Sequence, residues 1–405
     1  GGRVLFFSAP CGFGKSTLAN ALLSDLNVLR LNASAADFSL SELADGWDIL
    51  LIDDFQFMQE ETDAQTLCEL IRSSPAQRFV LLSRGAPPGY LMAFQYTGLM
   101  SVLSADDLLF DRDDIRKFFS AHEVAVTDSE ISGILKESIG YPLGVVITMQ
   151  CMSGGKSLRP EIIAQAFRQV FSYFEANIYH RFDLPIRRFL LELAPFERFD
   201  LEMARMVSGD PHTGERLDWL LSHTTMLRYD DVQHFHFWPQ FRAFLLWEME
   251  RDYSEEKRRA LFSRGGLYYE LKEDYAHALD CYTRGGDHAK VSELLIRNAE
   301  LHPGMGHYAE MEQYYRSLPE SEISASPSLM QGMSMLCALA ADYEDSERWY
   351  RELQKFSEQR GKQDAAGRQA RSRLAWLDIA LPQRSVETLI DTFPAVFRLL
   401  RSKDV

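Results

Sequence analysis

Short apolar runs alternate with helical stretches over the first hundred residues of the chain. This alternation is typical of β-α-β units, which build a parallel sheet. The run Ile49–Ile52 is apolar throughout, as expected of a strand whose two faces are both covered. We therefore predict a five-stranded parallel sheet with helices at Ser16–Asp25 and Asp63–Ser73. The predicted strands are Val4–Ser8, Val28–Asn32, Ile49–Asp53, Phe79–Ser83 and Ser101–Leu103.

After about residue 105 the strand-like runs stop and helical periodicity takes over. The section from Leu184 to about Met249 mixes short helices with a hairpin pattern, Met226–Tyr229 against His234–Phe237, which predicts a winged helix. From Ser254 onward we predict amphipathic helices. Helix pairs of roughly 34 to 40 residues are typical of tetratricopeptide-like arrays, and a compact helical bundle is the alternative. The intervening helices are predicted at Asp113–His122, Asp128–Ser138, Leu143–Met152 and Pro160–Ile178.

A glycine-rich turn stands between the first predicted strand and the first predicted helix. Its letters, SAPCGFGKST, fit the phosphate-loop pattern GxxxxGK[ST], except that Ala9 replaces the first glycine. In such a loop backbone N–H groups wrap an anion, the lysine reaches the β- and γ-phosphates and the hydroxyl ligates Mg²⁺. We therefore predict ATP or ADP with Mg²⁺ as the ligands. The predicted nucleotide-binding residues of this loop are Pro10, Cys11, Gly12, Phe13, Gly14, Lys15, Ser16 and Thr17, and Ser16 is also a predicted metal ligand.

Charged side chains follow two of the predicted strands. The strand at Ile49 ends in Asp53 and Asp54, and an apolar strand ending in carboxylates is typical of a Walker B element. Asp53 is predicted to hold Mg²⁺, and Asp54 to orient or deprotonate the attacking water as the catalytic residue. Arg84 follows the next strand, which places it at the same edge of the sheet. We predict that Arg84 senses the γ-phosphate, with a surface arginine as the alternative.

Together these patterns predict an α/β P-loop NTPase with a parallel five-stranded sheet, followed by three further domains. They are a helical lid, a winged-helix domain and an all-α helical-repeat region of tetratricopeptide-like type. The predicted boundaries are 1–105 for the nucleotide-binding domain, 106–180 for the lid, 181–250 for the winged helix and 251–405 for the repeats.

Composition narrows the choice of partners and compartment. The 405-residue chain carries a net charge of −16, which repels the DNA backbone and anionic lipid, so we expect no nucleic-acid contact through this chain. It has no apolar run of about 18 residues, so we expect no membrane span. Its five cysteines are far apart, which favours neither a zinc site nor disulfides and suits a reducing cytoplasm.

Further short segments stand at distinctive spacings after the acidic pair. They are Ser83–Arg84 with Pro87–Pro88, Ser104–Phe110, Glu137–Gly144, Phe237–Leu245, Gly285–His288 and Leu318–Glu320. In order and spacing they resemble segments of the MalT-like large LuxR-type transcriptional regulators, which belong to the STAND class of signalling ATPases. The resemblance covers nearly the whole chain.

This resemblance implies that Pro142 contacts the base or ribose of the nucleotide. It implies a small-molecule or protein effector on the helical array, self-association on activation and, at most, slow ATP hydrolysis. The family usually has histidine where this chain has Trp238, so whether ADP is locked in place is left open. The resemblance also implies a fragment without the DNA-binding helix-turn-helix. The start Gly1–Arg3, directly before a strand, agrees with a fragment.

We therefore expect an ATP-binding signalling switch from a LuxR-type regulator. Two alternatives remain at this point. An AAA+-like chaperone or DNA-handling ATPase would be expected to carry Asp-Glu where this chain has Asp53–Asp54. A nucleotide-free interaction scaffold would keep the motifs as relics.

Overall fold

The computed structural model describes residues 2–41, 43, 46–58, 60–230, 232–301, 308–360 and 363–381. The chain divides between Asp252 and Tyr253 into two compact units, each described by itself below. The first unit contains a parallel sheet, a group of helices and a two-stranded hairpin. The second unit is helical in all of its described elements.

The sheet has five parallel strands, which are β1 Val4–Ser8, β2 Val28–Asn32, β3 Ile49–Asp53, β4 Arg78–Ser83 and β5 Met100–Ser104. Their order in the sheet is β2-β3-β4-β1-β5. This confirms the predicted sheet. Three strand bounds differ from the prediction, because β4 begins one residue earlier and β5 extends one residue further at each end. In the register, Ser8 lies between Ser83 and Ser104, so the carboxyl ends of the central strands meet at one edge.

Alternate side chains of the strands feed two separate apolar layers, as the two-residue period of a strand requires. One layer includes Phe6, Leu50 and Phe79 and is covered by a helix that contributes Leu67 and Ile71. The opposite layer is smaller. It contains Phe7, Ile49, Leu51, Val80 and Leu82, packed against Ala19 and Leu23. Because both faces are covered, the central strands read as continuous apolar runs.

Three helices flank the sheet, and four more follow it in the segment predicted as a lid. The first helix, α1 Lys15–Leu22, ends three residues earlier than predicted, and the short helix Met92–Tyr96 was not predicted. Two of the later helices begin with capping boxes, at Asp111 and at Thr127, which satisfy their first N–H groups. The helices are α1 Lys15–Leu22, α2 Glu61–Ser73, α3 Met92–Tyr96, α4 Arg112–Ala121, α5 Asp128–Ser138, α6 Pro142–Met152 and α7 Pro160–Asn177.

The end of the first unit has the elements of a winged helix. Two short antiparallel strands, β6 Leu227–Tyr229 and β7 Phe235–Phe237, pair with Leu227 opposite Phe237. Phe199 and Phe235 extend this pairing by an isolated bridge. The hairpin agrees with the prediction. The accompanying helices are α8 Leu184–Leu193, α9 Leu201–Ser208, α10 Thr213–His223 and α11 Pro239–Asp252.

The second unit packs its helices around one apolar core that includes Leu295, Tyr315, Leu336 and Trp349. Helices α12 and α13 pack closely as a pair, and so do α17 and α18. The described helices are α12 Glu255–Leu271, α13 Tyr275–Gly285, α14 His288–Leu301, α15 Tyr308–Ser317, α16 Glu320–Ser324, α17 Pro327–Leu339, α18 Tyr343–Glu358 and α19 Ala365–Ala380. Within the described residues of both units, no helix is both long enough and apolar enough to cross a membrane.

Candidate functional site

A cleft of about 980 Å³ opens at the carboxyl edge of the sheet. It brings together the glycine-rich loop, the ends of β3 and β4, and residues of α4, α6 and α7. Crevices at this edge of an open parallel sheet are the usual ligand sites of α/β proteins. Of the predicted residues, the cleft is lined by Cys11, Gly12, Phe13, Gly14, Lys15, Ser16, Thr17, Asp53, Asp54, Arg84 and Pro142.

The loop takes its shape from its two glycines. Gly12 has a φ of 83° and Gly14 a φ of 73°, a left-handed conformation that costs glycine nothing. Helix α1 begins immediately afterwards at Lys15, with Gly14 as its N-cap. The first N–H groups of a helix lack partners within the helix and attract an anion. Ala9, the residue that replaces a glycine of the pattern, is fully buried, and its N–H donates to the Ser83 carbonyl at 3.2 Å.

Lys15 lies folded along the loop. Its Nζ donates to the carbonyl oxygens of Ala9 at 2.6 Å and Pro10 at 2.9 Å. Burial lowers the pKa of Lys15 to about 8, and the charge of Arg84 adds to this effect. The predicted residue Pro10 contacts Lys15 through its backbone carbonyl. Pro10 itself does not line the cleft.

Ser16 and Asp53 lie side by side, as predicted for two metal ligands. The Ser16 hydroxyl donates to Asp53 Oδ2 at 2.9 Å, and the backbone N–H of Asp54 donates to Asp53 Oδ1 at 2.7 Å. A hydroxyl and a carboxylate are hard oxygen ligands, and Mg²⁺ in nucleotide sites takes one or two such groups beside phosphate oxygens. This donor set therefore fits Mg²⁺ bound together with a nucleotide. Elsewhere in the described part of the chain, no group of three His, Cys, Asp or Glu residues could hold a metal.

Asp54, the predicted catalytic residue, is hydrogen-bonded to two neighbouring side chains. Asp54 Oδ1 accepts a hydrogen bond from Arg84 Nη2 at 2.9 Å and another from Gln56 Nε2 at 3.0 Å. The Gln56 side chain also accepts from the backbone N–H of Arg84 at 3.0 Å. Gln56 thus ties the end of β3 to the end of β4. In this arrangement one oxygen of the Asp54 carboxylate is paired with the Arg84 guanidinium.

Contacts from distant segments hold the loop, and these were not predicted. The Tyr141 hydroxyl donates to the Cys11 carbonyl at 2.9 Å, and the Leu143 N–H donates to the Gly12 carbonyl at 3.1 Å. Tyr141 is fully buried, and a Cβ added at Gly12 would overlap its hydroxyl. Tyr173 Oη lies 2.8 Å from Cys11 Sγ. Tyr141 adjoins Pro142 in a segment with a distinctive sequence, whereas no sequence signal distinguishes Tyr173 from the other aromatic residues of α7.

The winged-helix segment also touches the loop and the end of β4. The Trp238 ring packs against Phe13 with 5.2 Å between centroids, and the Arg228 guanidinium lies over the indole at 4.7 Å. The N–H of Thr225 donates to the Arg84 carbonyl at 2.9 Å. Trp238 is buried and does not line the cleft, so it reaches the site only through Phe13.

One wall of the cleft is apolar. It is formed by residues that follow β5 and by residues of α4 and α6, next to Pro142. An apolar wall beside a phosphate-binding loop suits the flat ring of a nucleotide base. Its side chains are Leu108, Leu109, Phe110, Phe118, Leu143 and Val146.

The MalT winged helix domain family matches residues 175–257 of this chain. The match confirms the expected resemblance to MalT-like proteins over that segment. Among solved structures, the Walker-type ATPase of Pyrococcus abyssi has 13% identity and a TM-score of 0.46, covering 60% of this chain and 91% of that chain. A STAND protein of Pyrococcus horikoshii with a tetratricopeptide repeat sensor has 12% identity and a TM-score of 0.38. That comparison covers 98% of this chain and 63% of the P. horikoshii chain. The comparison with curated proteins found no match.

Proposed function

We propose that this chain is the ATP-binding module of a signalling switch of the MalT-like type. The observation that carries the proposal is the convergence of the loop, Lys15, the Ser16–Asp53 pair and Arg84 on one cleft. A loop of N–H donors, a lysine and a carboxylate-hydroxyl pair are the groups that hold a triphosphate and its metal. We expect at most slow hydrolysis, because one oxygen of the Asp54 carboxylate is paired with Arg84.

The chain's own residues would divide the work as follows. Lys15 exchanges its two backbone carbonyl partners for phosphate oxygens, which are stronger acceptors. Ser16 and Asp53 hold Mg²⁺, which when bound supplies positive charge to the β- and γ-phosphates. Arg84 leaves Asp54 for the γ-phosphate, and the released Asp54 is then able to orient water. The apolar wall with Pro142 receives the base.

The proposed switch between two conformations rests on the contacts that later segments of the chain make with the phosphate-binding loop. Tyr141, Leu143 and Trp238 contact the loop in this structure, and all three come from segments that follow the five-stranded sheet. ATP changes the balance between this state and an open one only if it binds the open state more tightly. We propose that a small-molecule or protein effector on the helical unit biases the same equilibrium. The open form would then self-associate and regulate transcription, in line with the MalT-like winged helix.

Nucleotide binding to the purified chain tests this proposal. Titration calorimetry with ATP and ADP, each with and without Mg²⁺, should show binding in the wild type and loss of binding in Lys15→Ala. Lys355→Ala is a matched control, because Lys355 is an exposed lysine of the second unit that pairs with Glu352. It should bind ATP like the wild type. Absence of ATP and ADP binding to the wild type would refute the proposal and favour the nucleotide-free scaffold.

A further inference from the structure

Tyr173 is a polar side chain of the cleft to which the proposed function assigns no role. It lies in the last turns of α7, its ring packs against Phe174, and it lines the same cleft as the loop. Its hydroxyl lies 2.8 Å from the Cys11 sulfur. A thiol is a weak hydrogen-bond partner, so this contact is easily exchanged for a better one.

The Tyr173 hydroxyl lies beside the first half of the phosphate-binding loop. Cys11 directly follows Pro10, whose carbonyl holds the Lys15 ammonium. Burial and the contact with Cys11 raise the pKa of Tyr173, whereas the nearby guanidinium of Arg84 lowers it. The hydroxyl therefore keeps its proton at neutral pH, and it lies near Arg84, which the proposed function brings to the γ-phosphate.

We propose that Tyr173 is a nucleotide-binding residue that distinguishes a triphosphate from a diphosphate. This inference rests on the proposed function. When ATP binds, the Tyr173 hydroxyl leaves the Cys11 sulfur and donates to an oxygen of the γ-phosphate. A hydrogen bond to an anionic oxygen is much stronger than one to a neutral thiol. ADP lacks the γ-phosphate, so the tyrosine stays on Cys11. Because Tyr173 belongs to α7, the exchange also transmits the presence of ATP to the lid helices.

Tyr173→Phe tests the inference, since it removes only the hydroxyl. ATP, or a non-hydrolysable ATP analogue, should bind roughly tenfold more weakly, as expected for one hydrogen bond to a charged group. ADP affinity should stay within about twofold, because the Tyr173 hydroxyl makes no hydrogen bond to ADP that the substitution could remove. The control is Tyr179→Phe, which removes a buried hydroxyl just beyond α7 that does not line the cleft. It should change neither affinity.

A pair of substitutions at Cys11 provides a second, opposite test. Cys11→Ser gives Tyr173 a stronger partner than the thiol and should weaken ATP relative to ADP. Cys11→Ala removes the partner and should strengthen ATP relative to ADP. This pair keeps the inference testable even if Tyr173→Phe fails to fold.

The thiol itself offers a readout that does not depend on affinity. Cys11 is partly exposed, whereas the other four cysteines are buried, so a maleimide should label Cys11 first. In the nucleotide-free protein Tyr173→Phe should speed this labelling by uncovering the sulfur. An unchanged ratio of ATP to ADP affinity in both Tyr173→Phe and the Cys11 variants, in a wild type that binds both nucleotides, would overturn this inference alone. A wild type that binds neither nucleotide would overturn the proposed function and this inference with it.

Discussion

The two sides of the cleft are held in different ways. On the acidic side, Asp53, Asp54, Gln56 and Arg84 bind one another, and all of them stand at the ends of two adjacent strands. On the loop side, the backbone at Cys11 and Gly12 is held by Tyr141 and Leu143, which lie about 130 residues further along the chain. The side chains of the acidic side are therefore held mainly at the strand ends, although Thr225 also binds the Arg84 carbonyl, and the loop side depends on residues 141–143.

This difference assigns the two sides different roles. The side-chain pairs among the strand ends would keep their geometry if helices α4–α7 moved, because both partners of each pair stand at the ends of sheet strands. A loop held by residues 141–143 loses both contacts at once if that segment departs, and phosphate oxygens cannot replace them, because the Cys11 and Gly12 carbonyls need donors. We infer that the loop side reports the lid position and that the acidic side supplies the chemistry. Each prediction below breaks one side and leaves the other intact.

Gly12→Ala should have the largest effect, because it breaks the contact of the loop with the lid. The new Cβ overlaps the Tyr141 hydroxyl, and the φ of 83° strains any residue with a side chain. We expect a loss of about 2–4 kcal/mol in the free energy of unfolding of the nucleotide-free first unit, the range of overpacking plus backbone strain. Denaturant unfolding followed by fluorescence measures it.

Gly14→Ala is the matched control for this prediction. Gly14 has a similar φ of 73°, but no atom lies within 4 Å of the place that a Cβ would take. The variant should lose only the free energy of backbone strain, about 1–2 kcal/mol. Equal losses in the two variants would show that the Tyr141 contact contributes nothing to holding the loop.

Asp54→Asn breaks the acidic side. Asparagine keeps an oxygen for Arg84 and Gln56 but cannot accept a proton from water, so turnover of ATP should fall by about 10²-fold. ATP affinity should hold or improve slightly, because Arg84 is less firmly retained by a neutral partner. Single-turnover hydrolysis and calorimetry separate the two effects. Asp53→Asn should instead weaken Mg²⁺-dependent binding, and equal binding losses in the two variants would contradict this division of roles.

The pH dependence of ATP binding tests the loop side through Lys15. The pKa of Lys15 is lowered to about 8 by burial, and a phosphate requires the charged ammonium. ATP affinity should be flat below pH 8 and fall about tenfold per pH unit above it, since binding then takes up a proton. Calorimetry from about pH 7 to 9.5 covers both sides of this pKa. Lys15→Arg, if it binds ATP, should show no such fall, because arginine stays charged throughout.

The same pKa shift affects stability with a definite sign. Between pH 8 and 10.5 the unfolded chain holds a proton on Lys15 that the folded, nucleotide-free chain has lost. The free energy of unfolding should therefore rise across this window, by ~3 kcal/mol in total for a shift of this size. Lys15→Met removes the titrating group and should abolish the rise relative to the wild type. If the free energies of unfolding of the wild type and of Lys15→Met changed with pH in parallel, the lowered pKa of Lys15 would be contradicted.

The acidic side was predictable from the sequence because its geometry is local. Apolar runs fix β1, β3 and β4, and parallel strands bring their carboxyl ends together. Asp53, Asp54 and Arg84 therefore had to meet at one edge, as they do. Their mutual pairing was not predicted, because sequence spacing does not show that Gln56 would bridge the two strand ends.

The contacts on the loop side could not be predicted from the sequence. Tyr141 and Tyr173 stand 130 and 162 residues from Cys11, and no periodic pattern encodes a contact across that distance. In the sequence, an aromatic residue of a helix is equally consistent with a core position and with a position in the site. The same holds for Trp238, where the sequence left open whether the ring reaches the nucleotide. In the structure it packs on Phe13, behind the loop.

Trp238→Phe should have the smallest effect on stability and affinity, because it makes the ring behind the loop smaller but keeps its contact with Phe13. Phenylalanine keeps an aromatic ring against Phe13 and loses part of the contact with Arg228. We expect about 1 kcal/mol less stability for the first unit, the value of a cation–π contact and some ring area. ATP affinity should change less than about threefold. The stability lost at this contact is lost largely from the free and the ATP-bound protein alike, so it mostly cancels in the binding free energy. The control Trp219→Phe alters a half-exposed ring of the same segment that stacks on His223, away from the loop, and should be neutral. If Trp238→Phe instead changed the ratio of ADP to ATP affinity more than about tenfold, the indole would contact the nucleotide directly, and the loop side would have to be extended to include it.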